Sequence, residues 1–140
     1  MSLKHSDGNP GGVGFSLLAK LLAISAIAEF GTGIALFLRP AFVVTNLLNP
    51  VTSPPIIPIA RVAGIALIAL GVACWTGWNR VEIGALRALL VYDFMVAAYL
   101  AFLIARHLDG IPLWPAVALH ATIGGLLLFL WKRETSRPGP

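Results

Sequence analysis

The sequence predicts an all-α protein, a four-transmembrane-helix bundle with a short interfacial helix between spans one and two. Three observations carry that prediction. Of 140 residues, 58% are hydrophobic and 11% charged, against about 25% charged in a soluble domain, and the mean hydropathy is +0.86. Four stretches, residues 15–38, 56–78, 83–105 and 111–131, reach the about 20 apolar residues that cross a hydrocarbon core of about 30 Å. Strands are the competing assignment, but residues 65–70 and 123–131 run apolar without the alternation that a barrel strand of about 10 residues needs.

The same composition excludes whole classes. An apolar content this high is the opposite of a disordered chain. Cys74 is the single cysteine, so no disulfide can form within the chain. The length allows one unit, with no room for a soluble catalytic domain beside the membrane part. A formal charge of +4 would suggest nucleic acid in a soluble protein. Here the basic residues flank apolar spans, where membrane topology accounts for them, and no nucleic-acid partner is expected.

Residues 1–14 hold Ser2, Ser6, Gly8, Pro10, Gly11, Gly12 and Gly14 and read as a disordered cytoplasmic tail. Residues 15–131 then form the transmembrane domain and 132–140 a short cytoplasmic tail. A secretory signal is disfavoured because Lys20 interrupts the first apolar run, which continues past Glu29 to Leu38. Arg39 and Pro40 stop span one, and residues 41–48 are apolar but too short to cross, which suits a helix lying at the interface. Asn49 and Pro50, with Pro54, Pro55 and Pro58, predict an extended approach to span two. Residues 79–82 and 106–110 make tight connections, which predict that spans two and three, and three and four, are antiparallel neighbours. Both Gly33 and Gly64 open a Gly-Ile-Ala-Leu tetrapeptide, residue types too common to mark a repeat.

Orientation follows from Lys and Arg. Lys4, Lys20, Arg80, Arg87, Lys132, Arg133 and Arg137 fall on one side of the stack, against Arg39, Arg61 and Arg106 on the other. Cytoplasmic loops carry the excess, so both termini are expected in the cytoplasm and the protein in the cell (inner) membrane as a multi-pass chain. Trp75, Trp78, Trp114 and Trp131 lie near span ends, as interfacial aromatics do.

An ionisable side chain inside a span costs about 2.5–3.5 kcal/mol, so each one requires a partner or a purpose. Glu29, Arg61, Asp93 and His120 stand out. At about 1.5 Å per residue, Glu29 and His120 both lie ~13–14 Å from the outer end of their spans, Asp93 ~18 Å, and Arg61 is only five residues in. Small residues one turn away mark faces on which helices approach closely. Ser25 and Gly33 flank Glu29, Ala116 and Gly124 flank His120, and Ala60, Gly64 and Gly71 line span two. Asp93 has Leu89 and Ala97 instead, with Tyr92 and Tyr99 on the same helix as sources of hydroxyls. The expected ligand-binding or proton-bearing set is therefore Glu29, Arg61, Asp93, His120 and Tyr99. Ser25, Gly33, Gly64, Gly71, Ala116 and Gly124 are the expected packing residues.

Two readings of that set stand side by side. A carboxylate and an imidazole can share or exchange a proton, with Arg61 neutralising Glu29 or gripping a carbonyl or anionic group. Alternatively the polar residues satisfy one another and set how the helices dock. Other chemistry has less support. Haem needs axial ligands at matched depth, yet His107 is at a helix end and His5 in the tail. No Cys/His spacing marks a zinc site, so no metal is expected, and Cys74 lacks the second cysteine of a quinone-reducing dithiol. No nucleophile elbow or phosphate-binding glycine loop is present.

The run Arg61-Val62-Ala63-Gly64-Ile65-Ala66-Leu67, followed by Leu70-Gly71-Val72-Ala73-Cys74-Trp75, resembles the Arg-x-x-Gly…Leu-Gly pattern of DoxX-like small four-helix bacterial membrane proteins. The plan is similar as well: a first span ending at Pro40, a short amphipathic segment, then three closely connected spans, together covering most of residues 15–131. The resemblance implies a four-helix bundle that, in some relatives, partners redox enzymes or quinone chemistry, and it extends to Arg61, Gly64 and Gly71 only. The expected role is an accessory protein, non-enzymatic or only weakly enzymatic, embedded in the lipid bilayer. Its polar pocket would bind a quinone-like or other apolar small molecule, or a lipid, or dock a membrane redox partner. The alternatives are a purely structural subunit or homo-oligomer, and a small proton-coupled carrier acting as a homodimer.

Overall fold

The computed structural model describes residues 13–48, 56–77, 80–107 and 110–136. The expectations for residues 1–12 and 137–140, for Asn49, Pro50, Pro54 and Pro55, and for Trp78 and Asn79 lie outside the described residues. Those that are described form an all-α structure of five helices: α1 Val13–Leu38, α2 Pro40–Leu48, α3 Ile56–Cys74, α4 Ile83–Ala105 and α5 Leu113–Thr135. All but α2 are long and apolar enough to span a bilayer, so the chain is a multi-pass membrane protein.

Local chemistry explains where the helices begin and end. Pro40 has no N–H to continue α1 and instead occupies the first position of α2, where its fixed φ suits the helix start. Pro58 lies within the first turn of α3 and not in an extended approach; no helical N–H is required there, so the proline costs no hydrogen bond. Span two is shorter than residues 56–78, because α3 stops at Cys74 and the chain turns through Gly77 at φ +84°, a left-handed conformation that glycine adopts freely. Helix α4 matches its expected bounds, ends at Ala105 and is capped by Arg106, beyond which His107 takes φ +57°. Helix α5 starts after Pro112 and runs four residues past Trp131. Lys132 and Arg133 belong to its last turn, where cations oppose the partial negative charge of the helix end. Residues 132–135 are therefore helix, and so are 13 and 14 at the other end. Glu134 reaches Gly14 in the first turn of α1, where a carboxylate faces the partial positive charge of a helix start.

The bundle is assembled from two tight pairs, α1 with α3 and α4 with α5, joined by α1 against α5. Helices α3 and α4 touch only sparsely, so the short connection between them does not make them packing neighbours as expected; close packing overrides chain proximity. The reason is the glycine seam. A Cβ added at Gly64 would lie 2.7 Å from the Gly33 carbonyl oxygen, one at Gly33 2.6 Å from that of Gly64, and one at Gly71 2.7 Å from that of Ala26. Two backbones in contact gain the dispersion energy that replaces hydrophobic drive inside a bilayer. The core joining the pairs holds Leu18, Leu22, Cys74, Leu86, Leu89 and Leu127. Outward-facing Ile24, Val62, Met95 and Phe129 are exposed, which suits lipid and would be untenable as a continuous surface in water. At one end of the bundle the Gly110 N–H donates to the Leu47 carbonyl at 2.9 Å, tying the α4–α5 connection to the end of α2.

Candidate functional site in the bundle interior

Three helices deliver one ionisable side chain each to a common point. Glu29 comes from α1, Asp93 from α4 and His120 from α5, and each offers a donor atom within 4.8 Å of the other two. Glu29 is 6% exposed and Asp93 1%, while the His120 side chain keeps 14%. The His120 Nδ1–H donates to Asp93 Oδ1 at 2.8 Å. The second Asp93 oxygen, Oδ2, is buried and has no hydrogen-bond partner among the described residues. Tyr92, one residue before Asp93, sets its ring edge-on to the imidazole, with centroids 5.6 Å apart and planes at 79°. Its hydroxyl donates to the Glu29 carboxylate.

The small residues predicted by sequence make this convergence possible. A Cβ at Gly124 would stand 3.2 Å from the Asp93 Cβ, so glycine lets α5 close on α4 where the carboxylate emerges. Ser25, buried one turn before Glu29, turns its hydroxyl back to the Leu21 carbonyl at 2.9 Å. It satisfies itself locally and leaves the Glu29 carboxylate to the cluster. Ala116, one turn before His120, is half-buried. Gly33, Gly64 and Gly71 serve the α1–α3 seam.

Two expected members do not join. Arg61 is exposed and stays outside the cluster. Gly71 abuts Ala26 and Phe30, the stretch of α1 that carries Glu29, and Arg61 lies ten residues from Gly71, about 15 Å along α3. It can neither neutralise Glu29 nor grip a ligand held there. Tyr99 is 61% exposed and stacks on Phe102 at 6.3 Å, facing outward. Tyr92 takes the place expected for it, seven residues and about 10 Å earlier on the helix. The signal available in the sequence was adjacency to a mid-span aspartate, since a tyrosine hydroxyl in a bilayer needs a partner. Asp93 has the fewest small neighbours in sequence and is the most buried of the three, because the small residue against it, Gly124, is on another helix.

The remaining histidine among the described residues, His107, is exposed at the end of α4, away from the cluster. Cys74 is buried with its Sγ 3.8 Å from the Ala85 carbonyl and acts as a packing residue between α3 and α4. Chemically, the site combines two carboxylates, one imidazole and one phenol in an apolar surround. It can accept, hold and pass a proton, donate to a carbonyl oxygen, or coordinate a cation. The absence of a metal motif in the sequence did not anticipate this last capacity, because donors on three helices leave no fixed spacing. Set against protein-family models, curated proteins and solved structures, the chain matches none.

Proposed function

We propose that this protein is an accessory protein of the cell (inner) membrane, DoxX-like in plan, with both termini in the cytoplasm, and that the Glu29–Asp93–His120 cluster with Tyr92 is its ligand-binding site. The observation that carries this reading is the buried Asp93 Oδ2, which has no partner among the described residues although its sister oxygen is bonded to His120. If the polar residues served docking alone, a carboxylate this deep would have both oxygens matched, because an unmatched buried acceptor costs about 1–3 kcal/mol. A ligand that supplies the missing interaction explains why the group is retained.

The ligand fits a small molecule with a polar head and an apolar body. A hydroxyl on that head, as in the reduced form of quinone-like compounds, would donate to Asp93 Oδ2, and its oxygen would accept the Tyr92 hydroxyl proton once that group turns from Glu29. A groove of about 250 Å³ between α1 and α3, lined by Ala26, Ile27, Phe30, Gly71, Val72 and Trp75, adjoins the stretch of α1 that carries Glu29 and offers an apolar surface for such a body, although no cluster residue lines it. No nucleophile is poised beside a base among the described residues, so binding rather than covalent chemistry is the assigned role. Mass spectrometry and absorption spectroscopy on gently purified protein test it. A quinone or lipid retained by the wild type and lost in His120→Ala supports the reading. An empty wild type that the substitution merely destabilises moves the role to packing.

A further inference from the structure

We infer that the Glu29–Asp93–His120 cluster is a binding site for one divalent transition-metal ion of the zinc or manganese class. This rests on the ligand-site reading above and names an occupant for its polar end. Three independent helices present one nitrogen and two carboxylate donors within 4.8 Å of one another, all in the bundle interior. Tetrahedral or octahedral coordination with bonds of about 2.0–2.2 Å places neighbouring donors roughly 3–3.6 Å apart. The cluster therefore needs to contract by about 1 Å at its widest edge, which side-chain rotation of Glu29 can supply.

The unmatched oxygen supplies the second line of argument. If Asp93 is ionised, Oδ2 lacks a donor; if Oδ2 is protonated, that proton lacks an acceptor. A cation resolves both, because it needs only a lone pair. Charge points the same way: two carboxylates and a neutral imidazole sum to two negative charges, which a dication cancels inside an apolar surround that penalises net charge. The ion would take the place of the proton that His120 Nδ1 now donates to Asp93 Oδ1, and the neutral imidazole would carry that proton on Nε2 instead, so the charge balance is kept. Tyr92 would keep Glu29 oriented through its hydroxyl, as a supporting hydrogen bond commonly does for a ligating carboxylate. An oxygen and nitrogen donor set without thiolate favours zinc, manganese or ferrous iron over cuprous copper. Cys74 is engaged with the Ala85 carbonyl and adds no sulfur.

The test uses the full chain in mild detergent, stripped with chelator, exposed to Zn²⁺ or Mn²⁺, desalted and assayed for metal by mass spectrometry, with melting temperature recorded in parallel. The wild type should take up about one ion per chain and melt higher with metal than with chelator. Glu29→Gln, which keeps the side-chain shape, and His120→Ala should each lower affinity at least tenfold, while Arg61→Gln should bind as the wild type does. Melting in chelator establishes that each variant is folded. Equal uptake by the wild type, Glu29→Gln and His120→Ala overturns the inference. A wild type that takes up no ion yet retains an organic molecule lost in His120→Ala overturns the metal and spares the ligand-site reading. A wild type that holds neither overturns both.

Discussion

Removing the imidazole partner of Asp93 gives the sharpest test of the energetics proposed for the site. Asp93 is 1% exposed, Oδ2 is unmatched, and Oδ1 depends on the 2.8 Å bond from His120. His120→Leu fills much of the same space and leaves both oxygens without a partner among the described residues. An average interhelical hydrogen bond in a bilayer is worth only about 0.6 kcal/mol, with a maximum near 1.7. An aspartate uncompensated at mid-span costs about 2.5–3.5 kcal/mol. Because the substitution strands the whole carboxylate, the larger scale governs, and we expect a loss of about 2–3 kcal/mol, roughly a 30- to 150-fold shift of the unfolding equilibrium. Asp93→Leu alone leaves a neutral imidazole that retains partial exposure, so its cost should be about 1 kcal/mol. The double variant replaces both polar groups by apolar ones and should recover to within about 1 kcal/mol of the wild type. Reversible unfolding in mixed micelles with increasing SDS, performed in chelator so that no bound ion contributes, measures all four corners of the cycle. Losses that add to within about 0.5 kcal/mol would refute the coupling, and with it the claim that this pair is the energetic centre of the site.

Three further outcomes follow from the packing and from the two tyrosines. Gly64→Ala pushes a methyl to 2.7 Å from the Gly33 carbonyl and should part α1 and α3, lowering stability in the same assay by about 1–3 kcal/mol, whereas Gly31→Ala, with open space around it, should be neutral or slightly stabilising. Tyr92→Phe should cost about 0.6–1.7 kcal/mol through the lost donor to Glu29, and Tyr99→Phe should stay within about 0.5 kcal/mol, so equal effects would remove Tyr92 from the site. Gly110→Ala directs a methyl into the Asn46 and Leu47 carbonyls. Hydrogen exchange should then quicken in α2 while α1 keeps its protection, and a uniform change along the chain would contradict a local latch.

The glycine seam bears on how the site is assembled. The α1–α3 pair is held by backbone contact and the α4–α5 pair packs closely where Gly124 meets Asp93, and the two pairs meet mainly along α1 and α5. Glu29 projects from one unit while Asp93 and His120 project from the other. A ligand or ion binding all three side chains therefore ties the two units together, and its release would loosen the contact between them. Stability and occupancy are linked at this point of the fold.

Much of this protein was legible from its residues. Twenty or so consecutive apolar side chains can only be a span, because a bilayer leaves backbone amides no partner except one another. That constraint located four helices, and the proline at position 40 located the break before α2. Cost singled out Glu29, Arg61, Asp93 and His120, since an ionisable group within a span is expensive without compensation. The small residues at Gly33, Gly64, Gly71 and Gly124 were recognisable as contact points, but not which helix each would meet. Spacing along one chain carries the depth of a residue through the rise of about 1.5 Å per position, and depth is what placed Glu29 and His120 at a common level. It carries nothing about rotation relative to a helix distant in sequence. Tertiary structure alone decided that α3 pairs with α1 instead of α4, that Arg61 stays outside and Tyr99 faces outward, and that Tyr92 completes the cluster. Length and hydropathy are properties of a segment and survive in isolation; which side chains meet is decided by backbones packing across glycine, a property that exists only once the helices have docked.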